Sequence, residues 1–203
     1  MIYAAIACSV LLVDGAASTC TCEDARLHNE WCDACQKGFV AGIELRSPRL
    51  YRAIDPHGHK IKLKRLSCDT CRSAVATDTY CEKCGIGFVD RKAYFSQLTY
   101  QLARGKPLKR EQIECNECRK NAQRYGWCDS CSRGMVGPVA IAIRGHYEVA
   151  TRAYEILTIA IRKAKTCTRC AVAIIANSYC PDCKKRYSQG KVVTPSEPVP
   201  PSP

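Results

Sequence analysis

The chain has 203 residues, with 31 Lys and Arg against 19 Asp and Glu and a formal charge of +12 when every thiol is counted neutral. Its length alone suits one or two domains, and its longest apolar run, residues 1–13, falls short of the roughly 20 residues of a spanning helix. It has only four His, and the sequence shows no His-Glu-x2-His motif, no phosphate-cradling glycine loop and no Ser-His-Asp grouping, so the familiar hydrolytic and nucleotide-dependent chemistries have no support.

The chain opens on MIYAAIACSVLLVDGAAS. The apolar part reads as the core of a secretory signal, with Ala16 and Ser18 as small residues ahead of a cut after Ser18. No Lys or Arg precedes Arg26, so the basic flank of such a signal is missing, and a buried N-terminal strand is the alternative. Removing residues 1–18 would take Cys8 with them and leave sixteen of the 17 cysteines. That arithmetic favours export, periplasmic or secreted, over a cytoplasmic location, and leaves no integral membrane segment.

Segment 19–45 carries Cys20, Cys22, Cys32 and Cys35. A connector follows at 46–66. There Ser47-Pro48 predicts a helix start, with Ser as N-cap and Pro at the first helical position. Leu50, Tyr51 and Ile54 form its apolar side, and Asp55-Pro56 ends it. From His59 to Leu66 the chain alternates, Ile61 and Leu63 on one face and Lys60, Lys62 and Lys64 on the other, which predicts a half-buried strand. Segment 67–90 holds Cys68, Cys71, Cys81 and Cys84. The connector 91–112 predicts a helix from about Lys92 to Arg104, apolar at Tyr94, Phe95, Leu98 and Leu102 and stopped by Gly105 and Pro107.

Cys115, Cys118, Cys128 and Cys131 lie in 113–137. The connector 138–165 has the clearest helical period, with Tyr147, Ala150, Tyr154, Leu157, Ile161 and Ala164 stepping by threes and fours. Val149, Ala153, Ile156 and Ala160 widen that stripe, so this helix is predicted to be a core element. Segment 166–189 carries Cys167, Cys170, Cys180 and Cys183, and the tail 190–203 ends proline-rich, TPSEPVPPSP, which predicts an extended, unstructured end. Three residues after the last cysteine of the first three units come Gly38-Phe39-Val40, Gly87-Phe88-Val89 and Gly134-Met135-Val136, where glycine allows a turn and the apolar pair begins a strand or a docking edge. The fourth unit has Arg186-Tyr187-Ser188 instead, as expected of a terminal repeat with nothing further to pack against.

The cysteine spacing is the main chemical signal. Three quartets read Cys-x2-Cys, nine residues, Cys-x2-Cys, and the first opens with Cys20-x-Cys22. Each pair can set both sulfurs on one ion, and nine residues suffice for a short hairpin to bring the second pair back. Four thiolates match Zn²⁺, which is four-coordinate in structural sites, and about four ions per chain follow from the four quartets. Iron has the same ligand set and is the weaker match. Disulfides would suit an oxidising compartment, but disulfide frameworks show less regular spacing. A unit of about 25 residues cannot stabilise itself by packing alone, whereas zinc contributes on the order of 10–16 kcal/mol per site. Each filled four-cysteine site carries 2 − 4 = −2, so four sites take the formal +12 to about +4, which removes most of the global electrostatic case for nucleic acid.

The pattern resembles the zinc-ribbon families, in particular the double zinc ribbons, whose units read Cys-x2-Cys, about ten residues, aromatic-Cys-x2-Cys-Gly. Residues 68–87, CDTCRSAVATDTYCEKCGIG, fit best, down to Tyr80 and Gly85, and the likeness covers about 80 of the 203 residues. It implies a structural metal and a small metal-stabilised α+β fold, four tandem zinc-ribbon units, each a four-cysteine β-hairpin, joined by helical connectors. It implies no activity. The glycine after the last cysteine is replaced by Gln36, Ser132 and Lys184 in the other units, and the short Cys20-x-Cys22 leaves His28 as an alternative fourth ligand.

Trp31, Tyr80, Trp127 and Tyr179 each precede a third cysteine, either to pack over the hairpin and shield the metal or to stack on bases. Each connector ends basic, at Lys60 to Arg65, Lys106 to Arg110 and Arg162 to Lys165, either to offset the zinc-thiolate charge or to line a phosphate-binding face. His57-Gly58-His59 sits in a Pro/Gly turn with no third ligand near in sequence and reads as a plain loop. The function these features favour is non-enzymatic: a zinc-dependent scaffold that binds another protein. Nucleic-acid binding is one alternative, and metal handling or thiol redox sensing is a second.

Overall fold

The structure is a computed structural model and describes residues 20–194, so the readings of segment 1–18, of Cys8 and of the prolines beyond 194 lie outside the described residues. One motif repeats along the chain, a short helix, three antiparallel strands and a second helix. The first copy comprises α1 (Glu23–His28), β1 (Trp31–Cys32), β2 (Lys37–Val40), β3 (Ile43–Leu45) and α2 (Pro48–Ile54). The second comprises β4 (His59–Lys60), α3 (Asp69–Ala76), β5 (Tyr80–Cys81), β6 (Ile86–Val89), β7 (Lys92–Tyr94) and α4 (Gln97–Arg104). The third comprises β8 (Lys106–Pro107), α5 (Asn116–Asn121), β9 (Tyr125–Cys128), β10 (Arg133–Val136), β11 (Val139–Ile141) and α6 (Arg144–Ala164). The fourth, α7 (Thr168–Ile175), β12 (Tyr179–Cys180), β13 (Lys185–Ser188) and β14 (Lys191–Val193), has no second helix among the described residues. The sheets run β1-β2-β3, β4-β7-β6-β5, β8-β11-β10-β9 and β12-β13-β14. None of the described helices is long and apolar enough to cross a membrane.

Several expectations are corrected. The excursion between the two cysteine pairs is a helix, not a hairpin. Buried Cys71, Ala74 and Val75 in α3 and Cys170, Ala173 and Ile174 in α7 follow the i, i+3, i+4 spacing of one helical face, which Ala171 widens in α7. His59–Leu66 is not one strand: it pairs only over β4 and then turns into a 3₁₀ turn, Leu63–Arg65, which leaves Leu63 51% exposed. The helix predicted from Lys92 divides into β7 and α4, and Phe95 between them is exposed. The expected tail from 190 begins with strand β14. Helix α2 starts as predicted, with the Ser47 side chain accepting the Leu50 N–H at 3.2 Å.

The last two strands of each sheet join through two-residue turns, Ala41-Gly42, Asp90-Arg91, Gly137-Pro138 and Gln189-Gly190. Both turn residues have positive φ in three of these, which matches the twist of a hairpin. In three copies the first helix ends on a left-handed Asn29, Asp78 or Asn177. The side chains of these residues accept the N–H of Ala41, Asp90 and Gln189 at 2.7, 3.0 and 2.7 Å. One residue thus ends the helix and ties it to the far turn.

The second helix lies against the central strand at a glycine. A Cβ on Gly38, Gly87 or Gly134 would come within 2.5, 2.2 and 2.0 Å of Tyr51, Tyr100 and Tyr147, one tyrosine on each following helix. α2, α4 and α6 then meet in a shared core with α7, where Leu50, Ile54, Leu98, Leu102, Ala150, Leu157, Ala160 and Ile174 are buried. Two smaller clusters surround the cysteines of the second and third copies.

Candidate metal centres

Each quartet is built from two local structures. In the second, third and fourth copies the first cysteine caps a helix N-terminus and the second lies at its third position, so one turn of helix sets their spacing. The other two cysteines flank the tight turn between the first and second strands. The residue after the last cysteine, Gln36, Gly85, Ser132 or Lys184, has positive φ in all four copies. The glycine of the second copy therefore marks a backbone requirement that the other three meet with ordinary residues.

All four sulfurs of each quartet lie within 4.8 Å of one another: Cys20, Cys22, Cys32 and Cys35; Cys68, Cys71, Cys81 and Cys84; Cys115, Cys118, Cys128 and Cys131; and Cys167, Cys170, Cys180 and Cys183. A tetrahedral ion with sulfur bonds of about 2.3 Å has S···S edges of about 3.8 Å. The Cys20–Cys22, Cys20–Cys32, Cys115–Cys128 and Cys167–Cys180 separations are 3.6, 3.5, 3.7 and 3.9 Å. A disulfide requires about 2.05 Å, and the sixteen described cysteines are free thiols. The donor set and its dimensions fit a tetrahedral thiophilic ion.

The first site reaches this geometry without histidine. Cys22 takes a left-handed conformation, φ 52°, which turns its sulfur onto the cluster despite the missing residue. His28 is exposed at the far end of α1 and is not among the grouped residues. Position 22 costs on the order of 1–2 kcal/mol in backbone strain, and none of this site's cysteines is buried, whereas the other three sites bury their second and third.

As free thiols the four are not equivalent. Backbone N–H groups pull the first one down, Cys20, Cys115 and Cys167 to about 7 and Cys68 to about 6; the Cys170 N–H donates to Cys167 Sγ at 3.3 Å. Hydrogen bonding to Cys35 pushes Cys22 up to about 12, and burial raises Cys118 to about 11 and Cys170 to about 12. Burial also raises Cys71 and Cys128. Around the fourth site Tyr187, which replaces Phe39, Phe88 and Met135 of the other copies, is buried and hydrogen-bonds Cys170. It therefore packs into the core, contrary to the expectation for the terminal repeat. At the third site the Cys128 thiol donates to Glu117 Oε2 at 3.2 Å.

Three of the four aromatics ahead of the third cysteine are held by the repeat's own tyrosines. Trp31, Tyr80 and Trp127 lie with ring centroids 5.5 Å from Tyr51, Tyr100 and Tyr147. Tyr179, whose copy has no such helix, is 48% exposed. Among the connector cations, Lys60, Lys62, Lys64, Arg65, Lys106, Lys109 and Arg110 are exposed, and none of them makes an ion pair among the described residues. His57 and His59 belong to no metal group: His57 Nε2 lies 3.3 Å from the Tyr51 hydroxyl and His59 pairs with Asp55 at 3.1 Å. A cleft of about 210 Å³ where the first three copies meet is lined by His28, His57, Asp90 and Lys92 among others. Sequence reasoning placed Tyr51 and Tyr147 on apolar helix faces but missed Tyr100 and the contact all three make with a glycine, although each stands 13 residues after the glycine it covers.

Compared with known proteins, the chain matches no protein-family model, no curated protein and no solved structure.

Proposed function

We propose that the chain is a non-enzymatic, zinc-dependent scaffold whose four metal-tied units present a surface to another protein. The observation that carries this reading is the convergence of sixteen sulfurs into four sets, each within 4.8 Å. Four thiolates fill the coordination of a structural zinc and leave no position for a water or substrate, as a catalytic zinc would require. Zinc is the ion we favour; iron takes the same four-thiolate set, and elemental analysis distinguishes the two. The nucleic-acid reading loses support where Trp31, Tyr80 and Trp127 are engaged by tyrosines, since a base-stacking platform needs free ring faces.

Elemental analysis of the purified chain, paired with thiol titration before and after chelation, tests the reading. One zinc per quartet is expected, with thiols that react only once a chelator is added. A metal-poor chain with most cysteines oxidised would overturn it and favour a thiol redox protein.

A further inference from the structure

The second copy carries a surface feature that its metal site does not require. After β4 the chain leaves its strand, and Ile61 donates its N–H to the Arg91 carbonyl at 3.3 Å. The following 3₁₀ turn, Leu63–Arg65, forms one wall of a groove of about 530 Å³ lined by Ile61, Lys62, Leu63, Lys64, Arg65 and Arg91. Leu63 is 51% exposed there, and Ile61 packs from below onto the cluster that contains Cys68, Cys71, Cys81 and Cys84. The four cations are exposed and make no ion pair among the described residues.

We infer that this groove binds a short acidic peptide segment of a partner protein, seating one aliphatic side chain against Leu63 and Ile61 while flanking carboxylates meet Lys62, Lys64, Arg65 and Arg91. The inference rests on the scaffold reading above and names the chemistry of its partner. Charge complementarity fixes the sign of the ligand: four unpaired cations around an apolar centre repel a basic partner and leave a neutral one without counter-charges. The apolar centre fixes the rest. None of the six lining residues is aromatic, so bases would find no aromatic platform, whereas a branched aliphatic side chain fits a leucine–isoleucine floor. Concavity favours a single inserted side chain over a flat lipid surface. Because Ile61 is part of the cluster around the second quartet, the groove depends on that site being filled.

The test uses the full chain, zinc-loaded, and a fluorescein-labelled peptide of sequence Glu-Asp-Glu-Leu-Asp-Glu, followed by anisotropy. The expected result is saturable binding that weakens about tenfold or more in Leu63→Ser, weakens similarly in the double variant Lys62→Glu, Lys64→Glu, and vanishes for a peptide with Ser in place of Leu. Both variants alter exposed side chains, and circular dichroism checks that they fold. Unchanged affinity in Leu63→Ser overturns the inference. So does a single-stranded oligonucleotide of equal charge, or a vesicle containing phosphatidylserine, that binds more tightly than the peptide and ignores Leu63. Zinc content measured on the same sample separates the two levels: a loaded, folded chain that does not bind the peptide refutes the groove alone, while a metal-free oxidised chain refutes the scaffold and the groove with it.

Discussion

Two backbone and side-chain details decide how each quartet behaves at the level of single residues. Lys184 holds φ 50° at a position where Gly85 holds φ 68°. A non-glycine residue there stores on the order of 1–2 kcal/mol, of which glycine's larger unfolded entropy cancels part. Lys184→Gly is therefore expected to stabilise the zinc-loaded chain by about 0.5–1 kcal/mol, read as a higher urea midpoint; no gain would show that this turn is relaxed as it stands. The thiols give a second expectation. Cys20, Cys68, Cys115 and Cys167 are depressed below the ordinary 9.0 to about 7 or 6, so their contribution to folding is fully present above 9 and is lost as pH falls through 7 and 6. Cys22, Cys118 and Cys170, raised to about 12, 11 and 12, contribute below 9 and lose that contribution as pH rises. The pH dependence of the chelated chain therefore peaks near the ordinary thiol value of 9.0, falling towards 7 as the first group loses its contribution and falling above 9.0 as the second does. Ultraviolet thiolate absorbance of the chelated chain should already rise as pH passes through about 6 to 7, and this early rise should disappear when Cys20, Cys68, Cys115 and Cys167 are replaced by Ser. A single titration of all sixteen near 9 would contradict this.

Helix and sheet are joined at the glycine–tyrosine contact. Gly87 leaves room for the Tyr100 ring, which packs at a tilt against Tyr80 and whose hydroxyl accepts a hydrogen bond from Arg104 on the same helix at 2.7 Å. A methyl group at 87 would stand about 2.2 Å from that ring, so Gly87→Ala is expected to cost about 1–3 kcal/mol or more through displacement of α4. Position 186 occupies the same place in the fourth copy, where no tyrosine follows, and Arg186→Ala should leave stability within about 0.5 kcal/mol. Equal losses in the two variants, measured by urea unfolding, would mean that the contact does not dock the helix. Much of this level could be read in advance. The Ser47-Pro48 start of α2, the long stripe of α6 and the strands after the fourth cysteine of the first three copies follow from local chemistry and period. The first helix of each copy did not, because a six- to eight-residue helix offers barely two turns of periodicity and its first two apolar members are cysteines already assigned to metal. Strand β4 was overextended for the opposite reason: alternation from Ile61 to Lys64 satisfies a strand pattern, yet β7 supplies partners for only His59 and Lys60.

Across the whole molecule, the four quartets are similar in ligands but unequal in what rests on them. Cys170 and Cys180 belong to the central core with Leu50, Ile54, Leu98 and Leu157, so the fourth site is continuous with the packing of α2, α4 and α6. Cys118 and Cys128 belong instead to a separate cluster with Leu108, Ile113 and Met135. Losing a structural zinc removes on the order of 10–16 kcal/mol of local binding free energy in small zinc peptides, and the region that loosens is the one whose apolar contacts depended on those ligands. Cys170→Ala is therefore expected to raise amide hydrogen exchange in α2 and α6 as well as α7. Cys118→Ala should confine the increase to α5, β9 and β10. The second copy's Cys71→Ala should likewise stay with α3, β5 and β6, since its cluster is also separate. Hydrogen–deuterium exchange on the three zinc-loaded variants separates this hierarchy from a chain of independent beads. Independent beads would keep every increase inside the mutated copy, and a single cooperative body would spread all three increases alike. The burial pattern demands the uneven result, because only in the fourth copy do the quartet's cysteines line the core that the connecting helices share.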